Sequence, residues 1–233
     1  MSQVVRTAGI DGCRAGWLAV CCSWRDGVAV DHQVRLLTHI DAVRELDPAP
    51  QSIALDIPIG LLSAPQPGGR DCDRAARVVL RPRGSCVFSP PARPLLSATH
   101  FDQVRGKGMT IQGFHIMPKI AEVDRWIDPD KQRLVWEAHP EVAFAQLAGA
   151  SLLQPKRRSA GKQRRRRLLA PLFPGLATDL AAHGLSRAQA GVDDLLDAMV
   201  LNWSALRRLQ GTALCLPPRP PLDERGLEMA IWA

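Results

Sequence analysis

The sequence predicts an α/β chain, an α+β mixed sheet with helices on both faces. Three observations carry this. Three segments joined by two hairpins open the chain between Val4 and Leu37. A short, almost wholly apolar run, SIALDI, follows at Ser52–Ile57. Near the C-terminal end, GVDDLLDAMVLNWSALRRL (Gly191–Leu209) places Leu195, Ala198, Met199, Asn202 and Leu206 at helical spacing.

Taken in order, Val4–Gly12 reads as a buried strand and Trp17–Trp24 as its hairpin partner. Arg25–Gly27 is a turn and Val28–Leu37 a third, alternating strand. Thr38 is placed to cap a short helix, Ile40–Leu46, which stops before Pro48. Ser52–Ile57 has the run expected of a strand covered on both faces. Residues 62–130 read as an insertion or lid, rich in Pro, Gly and Arg between Pro65 and Met117. It contains one helix, Asp71–Leu80, and a long loop, Arg81–Leu96. Leu134–Trp136 is a further strand, Val142–Leu147 a helix, and a basic segment runs helically into Leu168–Leu172. Gly226–Trp232 reads as a last strand or docked tail. Three antiparallel strands, a helix, a strand, an insertion, a strand and helices is the element order of the ribonuclease H fold, here in one domain spanning 1–233.

The chain has 233 residues, 46% of them hydrophobic. That length suits one domain with an insertion at ~100–200 residues per domain, and it buries roughly 70–75% of its surface without disulfides. The six cysteines form no C-x-x-C pair, which argues against a zinc site or a disulfide framework. The N-terminal stretch lacks the pattern of a signal peptide, and no apolar run is long enough to span a bilayer. A cytoplasmic protein is expected. Net charge is +7, which favours acidic partners such as nucleic acid. Much of the excess lies in KRRSAGKQRRRR (Lys156–Arg167), either a solvated face or a phosphate-contacting one.

Several strand ends carry carboxylates. Asp11 lies near the end of the first strand, Asp56 at the end of the fourth and Glu137 at the end of the fifth, while Asp194 and Asp197 share one face of the last long helix. Strand ends on one side of a sheet converge, so Asp11, Asp56, Asp194 and Asp197 are expected to meet. Oxygen-only ligands suit Mg²⁺ or Mn²⁺, and two such ions can clamp a phosphodiester. Each acid also has a plainer reading: Asp11 as a turn residue, Asp56 as a cap, Asp194 as a helix N-terminal acid.

GIDGCRAGW (Gly9–Trp17), DIPIGL (Asp56–Leu61), RDCDRAAR (Arg70–Arg77), RGSCVFSPPARPLL (Arg83–Leu96), MPKIAEVD (Met117–Asp124), WEAHPEVAF (Trp136–Phe144), DDLLDA (Asp193–Ala198) and DERGLEMAIW (Asp223–Trp232) occur in that order. With these motifs the chain resembles, over nearly its whole length, the family called domain of unknown function 429, described as predicted nucleases of the ribonuclease H fold. More distantly, D-x-x-D-A on the last helix is similar to the Holliday-junction resolvase branch of that superfamily. This resemblance implies Asp11, Asp56, Asp194 and Asp197 as the acidic, metal-binding set. Glu137 is an added ligand, a substrate contact or a helix N-terminal acid.

Arg70, Asp73, Arg77, Arg83, Arg93, Lys119 and Glu122 lie in or near the insertion, where Arg and Lys suit phosphate oxygens. Asp73 and Arg77 are equally placed for an i,i+4 pair. His139 is a general acid or base, or a satisfied structural histidine. The expected function is a metal-dependent nuclease with a two-metal Mg²⁺ or Mn²⁺ site. The alternatives are a phosphotransferase or phosphohydrolase of the sugar-kinase and actin type acting on a small molecule, and a non-catalytic nucleic-acid-binding or partner-binding module.

Overall fold

A computed structural model describes residues 4–107 and 109–233. Strand β1 (Val5–Cys13) turns through Arg14 and Ala15 into β2 (Gly16–Arg25). Asp26 and Gly27 both have positive φ, 52° and 80°. That is the twist-matched two-residue turn an Asp-Gly pair favours, and it leads into β3 (Val28–Leu37). Strand β4 (Ser52–Leu55) lies parallel to β1, and β5 (Val135–Glu137) lies parallel to β4. The sheet order is β3-β2-β1-β4-β5, three antiparallel strands extended by two parallel ones.

Helices cover both faces. One core packs Leu18, Val20, Trp24, Ala54 and Trp136 against α1 (Asp71–Val79), α4 (Pro140–Ala148), α5 (Ser159–Leu169) and α6 (Val192–Leu209). The other packs Ile10, Trp17, Ile53 and Leu55 against Ile120 and Val123 of α2 (Ile111–Trp126). A short α3 (Pro129–Gln132) precedes β5, and a two-stranded ribbon, β6 (Cys215–Leu216) with β7 (Ile231–Trp232), docks the tail. Among the described residues, no helix is long and apolar enough to cross a membrane.

Two expectations change. The segment after β3 is a 3₁₀ turn, Ile40–Glu45, and Thr38 does not cap it: the Ile40 N–H donates 2.6 Å to Glu122 Oε1 of α2. The cap is supplied across the fold rather than along the chain. Helix α2 itself falls where the sequence reads as irregular insertion. Gly113 and Pro118 interrupt its helical pattern, yet Thr110 caps it through the Gly113 N–H and its apolar side closes the second core. Residues 62–130 thus give α1 to one face of the sheet and α2 to the other.

The phase of α6 on the sheet is set by polar groups. Asn202 Oδ1 accepts from Thr7 Oγ1 at 2.8 Å and Trp24 Nε1 at 2.9 Å, and its Nδ2 donates to the carbonyls of Thr7 and Val20. All these groups are buried, so each unmade bond would cost about 1–3 kcal/mol. Two residues along β1, Gly9 lets the helix touch the strand. A Cβ there would lie 2.1 Å from the Ala198 carbonyl oxygen and 2.2 Å from the Asn202 nitrogen. Gly9→Ala is expected to destabilise the protein by about 1–3 kcal/mol, since rigid backbone must move. Urea unfolding at an unchanged slope would measure this, and a wild-type midpoint would mean that the helix does not sit this close.

Candidate active site

Strand alternation puts Thr7, Gly9 and Asp11 on one face of β1. Since Thr7 meets Asn202 and Gly9 meets Ala198, the helix runs antiparallel to the strand. Asp11 therefore comes beside the N-terminal half of α6, where Asp197 and Asp194 lie. Asp56 joins from the next strand. Ile10 pairs with Leu55, and the Asp56 N–H donates 2.9 Å to the Ile10 carbonyl, so Asp11 and Asp56 are held side by side.

The acids are not equivalent. Asp11 and Asp197 are buried, and Asp197 is wholly so. Burial pushes Asp11 well above the usual carboxylate range, and Asp56 and Asp197 add to the rise. Burial also pushes Asp56 up to about 7 and Asp197 up to about 6, in both cases against the pull of Lys156. Asp194 stays at the rim, half-buried, with one carboxylate oxygen accepting 2.8 Å from the Gly191 N–H at the start of α6. Three acids approach one another around Lys156, their oxygens not all within 4.8 Å, with Asp194 beside them as a helix-capping residue.

The centre of the site holds a cation that the sequence hides. Lys156 Nζ donates to Asp197 Oδ2. Burial alone would depress Lys156, but Asp197, Asp11 and Asp56 outweigh it and hold the ammonium above its ordinary value. In the sequence this lysine is only the first residue of a basic run. The run divides by environment. Arg165 is buried and donates 2.6 Å to Glu141 Oε1, whereas Arg157, Arg158, Arg164, Arg166 and Arg167 are exposed.

A cleft of ≈ 280 Å³ opens from this cluster, with Asp56 and Lys156 in its lining. Arg83, Cys86 and Phe88 of the insertion form one wall, and His139, Glu141 and Arg157 lie on others. His139 Nδ1 accepts 3.2 Å from the Glu141 N–H, capping α4, and its ring also bonds the Cys86 backbone. Burial pushes this imidazole down to about 4. It is a satisfied, neutral histidine.

A base whose folded pKa is depressed binds fewer protons in the native state between about 4 and 6.5. Stability is therefore complete above about pH 6.5 and falls as pH drops towards 4, by about 3 kcal/mol from this group. His139→Gln is expected to flatten that part of the melting-temperature profile. A parallel profile would contradict the assignment.

The remaining expected substrate contacts are spent inside the protein. Glu137 does not join Asp11 and Asp56. It turns to Arg70, whose Nη1 and Nη2 donate at 2.7 and 2.6 Å, and it accepts 2.7 Å from the Ile59 N–H. Arg70 also holds Asp73 at 2.7 Å, so Asp73 pairs with Arg70 and not with Arg77. Arg77 ties Val87 and Ser89 to α1. Arg83 donates 2.8 Å to the Leu152 carbonyl and 3.2 Å to Glu141. Arg93 holds Asp124 and Asp223, bridging the insertion to the C-terminal segment. Lys119 donates 2.6 Å to the Gly16 carbonyl above the Trp17 ring, and Glu122 accepts from Trp17 Nε1 and Ile40 N. Among the described residues, the one trio of potential metal ligands within 4.8 Å of one another is Cys72, Asp73 and Glu137. The Arg70 guanidinium already fills it.

No curated protein and no solved structure matches the chain. One family model does, over residues 9–222, from the first strand of the site to the C-terminal segment. The chain belongs to the family described as "Protein of unknown function (DUF429)".

Proposed function

We propose that this protein is a metal-dependent nuclease on a ribonuclease H-like scaffold, cleaving phosphodiester bonds with Mg²⁺ or Mn²⁺ at Asp11, Asp56 and Asp197. The carrying observation is the approach of three carboxylates, buried Asp11 of β1 and Asp197 of α6 and half-buried Asp56 just past β4, behind a cleft that Asp56 lines and cations rim. The donor set fits such an ion. It is all oxygen, and Asp197 Oδ1 is buried with no hydrogen-bond partner among the described residues. When bound, the ion would supply a hydroxide nucleophile and offset charge on the phosphate.

The chain's own residues do the rest. Asp11 and Asp56, locked by strand pairing, fix the ligand positions without needing to reorganise. Arg157 and the exposed arginines of α5 offer sequence-independent contacts to the phosphate backbone. The cleft, at ≈ 280 Å³, takes about one nucleotide unit. That favours a single strand, an end or an extruded nucleotide over a duplex gripped along its length. The order β3-β2-β1-β4-β5, with the acids at the ends of β1 and β4, supports the scaffold assignment.

The test is incubation of the purified protein with Mn²⁺ or Mg²⁺ and labelled DNA, RNA, hybrid and branched substrates. Cleavage that requires the metal and prefers unpaired regions is expected. Folded, metal-bound protein that cleaves none of the panel would refute the nuclease reading.

A further inference from the structure

We infer that Lys156 is a displaceable member of the site: it stands in for the divalent ion among the carboxylates and, once that ion binds, turns into the cleft to hold a phosphoryl oxygen of the substrate. This rests on the metal-site reading above.

Asp11, Asp56 and Asp197 cannot all be ionised at close range without a cation. In this structure the cation is Lys156, bonded to Asp197 Oδ2. The ammonium satisfies only part of the site, because Asp197 Oδ1 has no partner among the described residues although Asp197 is 0% exposed. One monovalent, hydrogen-bonding cation thus occupies a cluster whose charge and remaining oxygen suit a divalent one.

The geometry then allows exchange. The Lys156 side chain is 36% exposed and lines the cleft as well as the cluster. Its backbone is fixed on both sides. Arg83 and Arg165 both donate to the Gln154 carbonyl, and the Arg158 N–H donates 3.0 Å to the Pro155 carbonyl. Only the flexible four-carbon stem has to rotate, and an ammonium on such a stem is a mobile point charge. Within the cleft it would meet the same phosphate that the metal binds. The exposed arginines of α5 cannot substitute for it at the cluster, since none of them lines the carboxylate floor; Arg157 lies on the wall.

Two titrations test this, one with Mn²⁺ alone and one with inorganic phosphate in saturating Mn²⁺, both by calorimetry on wild type and Lys156→Met. The variant should bind Mn²⁺ about tenfold or more tightly, because its competitor is gone, and bind phosphate about tenfold more weakly. Opposite signs of this size that persist at high salt are the signature: a lysine that only holds the fold would move both affinities the same way, and a purely through-space charge effect would fade with ionic strength. Lys156→Gln, which keeps a hydrogen-bond donor for Asp197, should show the same pair of signs and serves if the methionine variant folds poorly. Wild-type Mn²⁺ binding with equal or weaker binding in both variants would overturn the exchange and leave the metal site standing. Tighter Mn²⁺ with unchanged phosphate would overturn the transfer to substrate. No Mn²⁺ binding by any of the proteins would overturn the inference together with the metal site.

Discussion

Replacing Asp11 by Asn is expected to lower metal-dependent cleavage by about 10²–10³-fold or more while leaving the metal-free protein as stable as wild type or more so. The two effects share one cause. Asp11 is buried beside Asp56 and Asp197, so its ionised form is costly without a metal. An amide of the same shape removes that charge and keeps the packing on β1. It also removes the charge that an ion would need. Relief of such repulsion is worth about 0.5–2 kcal/mol, visible as a melting temperature a few degrees higher in chelator, most clearly at alkaline pH.

Asp56→Asn should behave alike. Asp197→Asn should gain less, because it also weakens the partner of Lys156. Cleavage and melting measured on the same preparations check both halves. An Asp11→Asn protein with full activity would remove the proposed site, and one that melts far below wild type would make Asp11 a structural acid.

Arg70 should give the opposite pattern. It is 1% exposed, and its guanidinium bonds Asp73, Glu137 and the carbonyls of Ile59 and Gly60. Arg70→Met removes the cation and leaves two buried carboxylates facing each other. Breaking a buried ion pair from one side costs about 3–5 kcal/mol. For a chain of this length that is about 6–20 °C of melting temperature. Glu137→Gln should cost less, since an amide oxygen can still accept from the Ile59 N–H. Activity normalised to folded protein should survive in both. If Arg70→Met melted like wild type but lost cleavage, the phosphate-binding role read from the sequence would be restored and the structural role rejected.

These contrasting expectations trace to what a sequence can and cannot display. Asp11 and Asp56 are legible because each ends an apolar strand, and strand ends on one side of a sheet must converge. Asp194 and Asp197 are not separable by sequence, because residues three apart share a helix face. Their order is decided by Asn202 bonding Thr7, Val20 and Trp24, and by the missing side chain at Gly9, which together set the helix on the strand. Lys156 is lost in its basic run, because sequence does not tell a solvated cation from one aimed inward. Arg70, Asp73, Lys119 and Glu122 read as functional for the converse reason: charged residues in an insertion suggest ligands until internal partners are known, as does a strand-end acid such as Glu137.

By itself, then, the chain's periodicity and turn chemistry determined the order of the strands, the long final helix and the two strand-end acids, since these depend on local spacing alone. Tertiary structure decided which acid of the helix faces inward, which cation neutralises the cluster and which charges serve only to hold the fold. Those choices depend on burial and on partners far apart in the chain, and both exist only after the sheet and its helices have packed.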